Sequence, residues 1–167
     1  MSQNMTQEGQ DQPSEVQFAL HRIYLKDVSF EAPNSPEVFQ QFQPNIALDI
    51  TLSTRAVADD FYEVVIGVTA EAKQAESNTT LFLVEVQQAG LFQIGGATGP
   101  QLDHMLNTFC ASMLFPYVRE SVDSFVTRGG FPALMLAPYN LDALYTQKMQ
   151  QAGEQPNIQK AALRGMK

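Results

Sequence analysis

Between residues 16 and 94 the chain repeats one pattern four times, with apolar side chains on every second residue. A period of two puts those side chains on one face of a strand, so the four runs need a shared covered sheet face. In the first run the even positions Val16, Phe18, Leu20, Val28 and Phe30 are apolar, with Arg22, Tyr24 and Lys26 among them. The other face reads Gln17, His21, Asp27, Ser29 and Glu31, and Ile23 and Leu25 interrupt it as a bulge or a second buried contact would. The second run sets Ile46, Leu48, Ile50 and Leu52 against Asp49, Thr51, Ser53 and Arg55. The third sets Tyr62, Val64, Ile66 and Val68 against Glu63, Thr69 and Glu71. The fourth carries Phe82, Val84, Val86, Gln88, Phe92 and Ile94 on one side, and Leu81, Leu83, Glu85, Gln87 and Leu91 on the other. Asp59-Asp60 and Ser77-Asn78 mark turns, and no connection carries a parallel crossover, so an antiparallel meander is expected.

After GGATGP the period changes. Leu102, Met105, Leu106, Phe109, Cys110, Met113 and Tyr117 fall at helical spacing, which predicts a helix to Arg128 with Gly129-Gly130 as its stop. Pro116 inside it is expected to kink it or open a backbone bond. The loop FPALMLAPYN leads to a short helix over 141–151, with Asn140 as N-cap and Gly153 as stop. The fold class is therefore α+β: a four-stranded antiparallel meander sheet, a long helix and a short C-terminal helix. Residues 1–15 read as a disordered acidic tail, 16–152 as one domain, and 153–167 as a mobile basic tail with Lys160, Arg164 and Lys167.

Net charge is −8, and only 17% of residues are charged against 44% hydrophobic. An acidic body argues against nucleic acid, which needs Lys and Arg to replace its counterions. Sparse charge leaves apolar surface for subunit association to cover. The N-terminus MSQNMTQEGQDQPSE has no basic start and no apolar run, and nothing approaches the ~20 apolar residues of a membrane span. A single cysteine, Cys110, allows no internal disulfide. A cytoplasmic protein without direct membrane insertion is expected.

Catalytic chemistry finds no support in the residues. His21 and His104 lie in separate elements without ligand spacing, Cys110 falls on an apolar helix stripe, and GGATGP lacks the Lys-Ser/Thr of a phosphate loop. No enzyme activity, cofactor or metal is expected. Two surfaces remain. The outer sheet face collects Asp27, Glu31, Asp49, Glu63, Glu71 and Glu85 around Leu83, either as a solvated face or as an apolar anchor in a charged rim. Phe39, Phe42, Phe131, Tyr139 and Tyr145 lie outside the regular pattern, where they either line a groove or plug a small core.

The segments RIYLKDVSFEAPNSPEVF, ADDFYEVV, FLVEVQQAGLF and LFPYVRESVDSFVTRGGFPALMLAPYNLDALY, in this order, resemble the SecB family of bacterial protein-export chaperones. The resemblance covers residues 16–153. It implies a homotetramer built as a dimer of dimers, which binds unfolded precursor proteins without ATP and passes them to the SecA motor. By position, it puts SecA contacts on Asp27, Glu31, Leu83 and Glu85, and residues affecting tetramer assembly on Val84, Val86 and Gln88. It implies hydrophobic client grooves, for which Phe82, Phe92 and the loop aromatics are candidates. The alternatives are a non-chaperone adaptor with an acidic docking face and an enzyme whose site forms between subunits.

Overall fold

The computed structural model describes residues 15–164, with side chains described as far as Gly153. The expected tail 1–15 lies outside it apart from Glu15, as do the basic side chains near the C-terminus. Four strands form one antiparallel sheet: β1 (Gln17–Glu31), β2 (Pro44–Ala58), β3 (Phe61–Gln74) and β4 (Thr80–Gly95).

The strand order is β1-β4-β3-β2. Strands β2, β3 and β4 make the expected hairpins, but β1 lies beside β4 rather than β2, which is a Greek-key order and not a full meander. Burial explains the difference. β3 and β4 carry the most apolar sequences and take the centre, whereas β2 alternates with Asp49, Thr51, Ser53 and Arg55 and sits at an edge. Residues 32–43 cross the end of the sheet to connect the two edges. Asp60 (φ 60°) and Asn78 (φ 58°) hold the left-handed turn positions that Asp and Asn tolerate.

Two register shifts in β1, between Leu20 and Arg22 and between Leu25 and Asp27, resolve its mixed pattern. Each bulge flips the alternation. Phe18 and Leu20, then Ile23, then Val28 and Phe30 all pack on the core, and Arg22 and Tyr24 turn to the outer face, contrary to unbroken parity.

One helical run covers the sheet: α1 (Gly99–His104), a π-helical segment (Met105–Cys110) and α2 (Ala111–Arg128). Its apolar residues Leu102, Leu106, Cys110, Leu114, Val118, Val122 and Val126 recur every fourth position. Strict four-residue spacing drifts roughly 40° per turn in an α-helix. The wider π turn takes part of that drift back, so the irregularity lies here while α2 continues through Pro116. The stripe closes on Val64, Ile66, Val68, Val84 and Val86, all 1% exposed or less. Cys110 is fully buried, and burial pushes its thiol up to about 12, which fits a small core hydrophobe.

Helix α3 begins at Leu141, where the Asn140 side chain accepts the Ala143 N–H at 2.9 Å as the expected N-cap. It runs to Arg164, past Gly153, where the sequence placed a stop. Tyr145 donates to Asp103 at 2.7 Å, and His104 lies 3.3 Å from Asp142, so two polar contacts hold the start of α3 to α1.

Candidate binding surfaces

The antiparallel register sets the outer face in rows. Glu31, Leu83, Glu71 and Ala47 are opposite one another across the four strands, followed by Ser29, Glu85, Thr69 and Asp49, then Asp27, Gln87, Gly67 and Thr51. Asp27, Glu31, Leu83 and Glu85 therefore form one patch, with Leu83 half-buried and the three acids exposed. Among the described residues no cation pairs with Asp27, Glu31 or Glu85, while Lys73 pairs with Glu71 at 3.2 Å. Like charges on diagonal neighbours about 7 Å apart cost roughly 0.6 kcal/mol each in water. That repulsion is relieved by an approaching cation.

Glu63 does not belong to this patch. It is 4% exposed, and Lys26 reaches both its oxygens at 2.9 Å while Arg55 bonds Oε2 at 2.6 Å. Tyr24, turned outward by the β1 bulge, donates to Oε1. The Tyr24 hydrogen bond, with Lys26 and Arg55, outweighs burial and holds the Glu63 carboxyl down at about 2, below its ordinary 4.5. Burial and the same contact raise Tyr24 to about 12. A folded-state pKa below the unfolded value means this stabilisation is complete above about pH 4.5 and is lost as pH falls toward 2. The double variant Lys26→Met/Arg55→Met leaves the buried carboxylate without a cation. It is expected to cost about 1–3 kcal/mol in urea unfolding at pH 7, since both cations are partly exposed and Tyr24 still donates, and to move acid unfolding to higher pH.

The aromatic surface is built around Phe131. Its ring lies 5.0 Å from Phe82, 5.2 Å from Phe39, 6.0 Å from Phe42 and 6.5 Å from Phe30, centroid to centroid. Phe39, Phe42, Gly130, Phe131 and Pro132 line a cavity of about 310 Å³. Phe131 is buried as its floor, with the buried Phe82 ring packed against it, whereas Phe39 is 48% exposed at its mouth. The Gly129-Gly130 pair, read as a helix stop, also gives these rings room. A Cβ on Gly129 would sit 2.2 Å from the Phe30 ring, and Gly130 has φ +86° with Phe39 3.3 Å from a built Cβ.

Four of the seven groove candidates thus come together: Phe39, Phe42, Phe82 and Phe131. Phe92 does not join them; it is fully buried, against Phe18 at 5.9 Å. Tyr145 is engaged with Asp103, and Tyr139 is exposed in the loop before α3. The sequence marks Phe30 only as ordinary β1 core and Gly129 only as a helix stop, and it does not single out Pro132. Val84, Val86 and Gln88 lie on the helix side of β4, at most 5% exposed, beneath α2.

The family profile described as "Preprotein translocase subunit SecB" matches residues 10–152. The chain belongs to the SecB family. A protein-export protein SecB of Chromohalobacter salexigens is 49% identical over 149 residues, covering 89% of this chain and 91% of that one. The Legionella pneumophila SecB is 52% identical over 141 residues, covering 84% and 86%. The SecB of Pseudomonas putida is 45% identical over 163 residues, covering 95% of this chain and all of the relative. Among solved structures, a Mycobacterium tuberculosis SecB-like chaperone in complex with a ChAD peptide from the HigA1 antitoxin shares the fold. Its TM-score is 0.62 at 19% identity, over 74% of this chain and 91% of that one. No helix among the described residues is long and apolar enough to cross a membrane.

Proposed function

We propose that this SecB-family protein is an ATP-independent cytoplasmic export chaperone. It holds unfolded precursor polypeptides in apolar surface cavities, keeps them translocation-competent and delivers them to SecA. The observation that carries this reading is the aromatic cavity at Phe39 and Phe131, open to solvent on one side and backed by rings rather than by catalytic groups. Apolar burial is non-directional, so such a cavity accepts many sequences. Burying one large side chain gives about 1.5–3 kcal/mol, which alone is no better than millimolar affinity. Retention of a client therefore comes from several cavities on several subunits acting on one chain.

A homotetramer, as a dimer of dimers, supplies those cavities. Its support is apolar surface left open on the helical layer and on β1: Phe109 is 51%, Tyr117 50% and Leu25 45% exposed. Val84, Val86 and Gln88 act on assembly indirectly in this reading, by setting the height of α2 above the sheet. Asp27, Glu31, Leu83 and Glu85 form the docking patch for a basic segment of SecA, on the sheet face away from the aromatic cavity. The test is aggregation of a chemically unfolded client on dilution, followed by light scattering without nucleotide. Suppression near one tetramer per client is expected, and scattering as strong as without the protein would sink the proposal.

A further inference from the structure

Helix α2 carries a pair of opposite charges that the fold leaves apart. Arg119 and Asp123 are four residues apart, which puts them on one flank of the helix. Both are half-buried, and among the described residues neither forms an ion pair. Arg119 Nε and Asp123 Oδ1 are shut off from solvent without a hydrogen-bond partner, whereas the outer guanidinium nitrogens and Oδ2 are not enclosed. The ends of both side chains are therefore the reachable atoms. A partly desolvated charge without a counter-charge is costly. Pairing inside the helix would take the weaker order, with the base four residues ahead of the acid.

The helix on either side of the pair permits close approach. Pro116, one turn before Arg119, and Thr127, one turn after Asp123, are exposed and uncharged. The Thr127 hydroxyl is already satisfied by the Asp123 and Ser124 carbonyls at 2.8 and 3.1 Å, so covering it strands no donor. A base and an acid at fixed spacing on one flank complement themselves under a twofold axis, because an isologous contact sets residue i against j and j against i. We propose that α2 packs antiparallel against α2 of a second copy about an axis level with residue 121, so that Arg119 of each copy donates to Asp123 of the partner subunit. The inference rests on the tetramer reading and adds to it the reciprocal ion pairs that set helix register at one of its twofold contacts.

The test is charge reversal in the full-length protein, with the oligomer read by native mass spectrometry. Arg119→Asp leaves only acids at the contact, and Asp123→Arg only bases. Each variant alone is expected to weaken that contact about a hundredfold or more, because like charges meet there twice, and to fall to a species half the size of wild type. Mixed together, the two variants are expected to reassemble, since the acids of one then face the bases of the other. Pairing within a single helix gives no such rescue. Single variants that assemble like wild type, or that fail to reassemble on mixing, overturn the exchange alone, whereas a monomeric wild type overturns the tetramer reading and the exchange with it. Should the reversals fail to fold, Arg119→Lys keeps the charge, and a carbodiimide joins its amine to a neighbouring carboxylate in isotopically light and heavy copies refolded together. A cross-link from position 119 of one label to Asp123 of the other supports the exchange, and cross-links confined to one label, or none, overturn it.

Discussion

Replacing Phe131 by alanine is expected to lower unfolding stability by about 3–5 kcal/mol, and replacing Phe39 to leave it nearly unchanged. Both variants lose client affinity. The asymmetry comes from burial. Phe131 is 4% exposed and touches the rings of Phe30, Phe39, Phe42 and Phe82, so its removal empties space that the surrounding core cannot refill. Phe39 stands at the rim, half in water, where truncation forfeits little of the folded state's burial. For a client side chain the rim ring is half of the clamp. Loss of most of its 1.5–3 kcal/mol contribution reduces affinity about tenfold or more at a single cavity. Urea unfolding and anisotropy of a labelled unfolded polypeptide separate the two quantities. A Phe39→Ala protein that holds the client as tightly as wild type would show that the cavity is not a client site.

Glu85→Lys is expected to weaken SecA binding by about 2–5 kcal/mol, roughly thirtyfold or more, with client affinity and stability unchanged. Glu85 is exposed, and among the described residues its one side-chain hydrogen bond is accepted from the Ser29 hydroxyl at 3.3 Å, so the fold depends little on it. The reversal puts a cation beside Leu83 and between Asp27 and Glu31, where a basic partner is expected to approach. Phe82 and Phe131 lie on the opposite face of the sheet, which separates the two activities in space. Higher salt should shrink the wild-type affinity and the difference together, since these acids are solvent-exposed. Equal loss of SecA and client binding would contradict the two-surface account.

The alternation of β3 and β4 was readable because both strands run almost unbroken, and a period of two leaves no freedom about which side chains share a face. That is why the sequence alone separates Leu83 and Glu85 from Val84 and Val86. β1 was readable only in part. Its two bulges invert the alternation between them, and nothing in Arg22, Ile23 or Tyr24 states which strand they will face. The same inversion delivers Tyr24 to Glu63, and the β2–β3 register delivers Arg55. Glu63 therefore reads as one acid of a patch in sequence and is a neutralised, buried carboxylate in the fold.

Strand order was misjudged for β1 because short connections argue for neighbouring strands, while residues 32–43 are long enough to cross the sheet end and leave the most apolar strands central. The aromatic cavity was half legible. Unpatterned phenylalanines flagged Phe39, Phe42 and Phe131, but their convergence with Phe30 and Phe82 depends on that crossing segment. Gly153 failed as a helix stop because one glycine costs about 1 kcal/mol in a helix, too little to end a run that continues on both sides.

Native mass spectrometry of the purified protein, alone and then with an unfolded precursor and SecA, tests the central claim most directly. The account predicts a tetramer that takes up one unfolded chain without nucleotide and then appears in a ternary complex with SecA. A stable monomer that binds neither the unfolded chain nor SecA would contradict it.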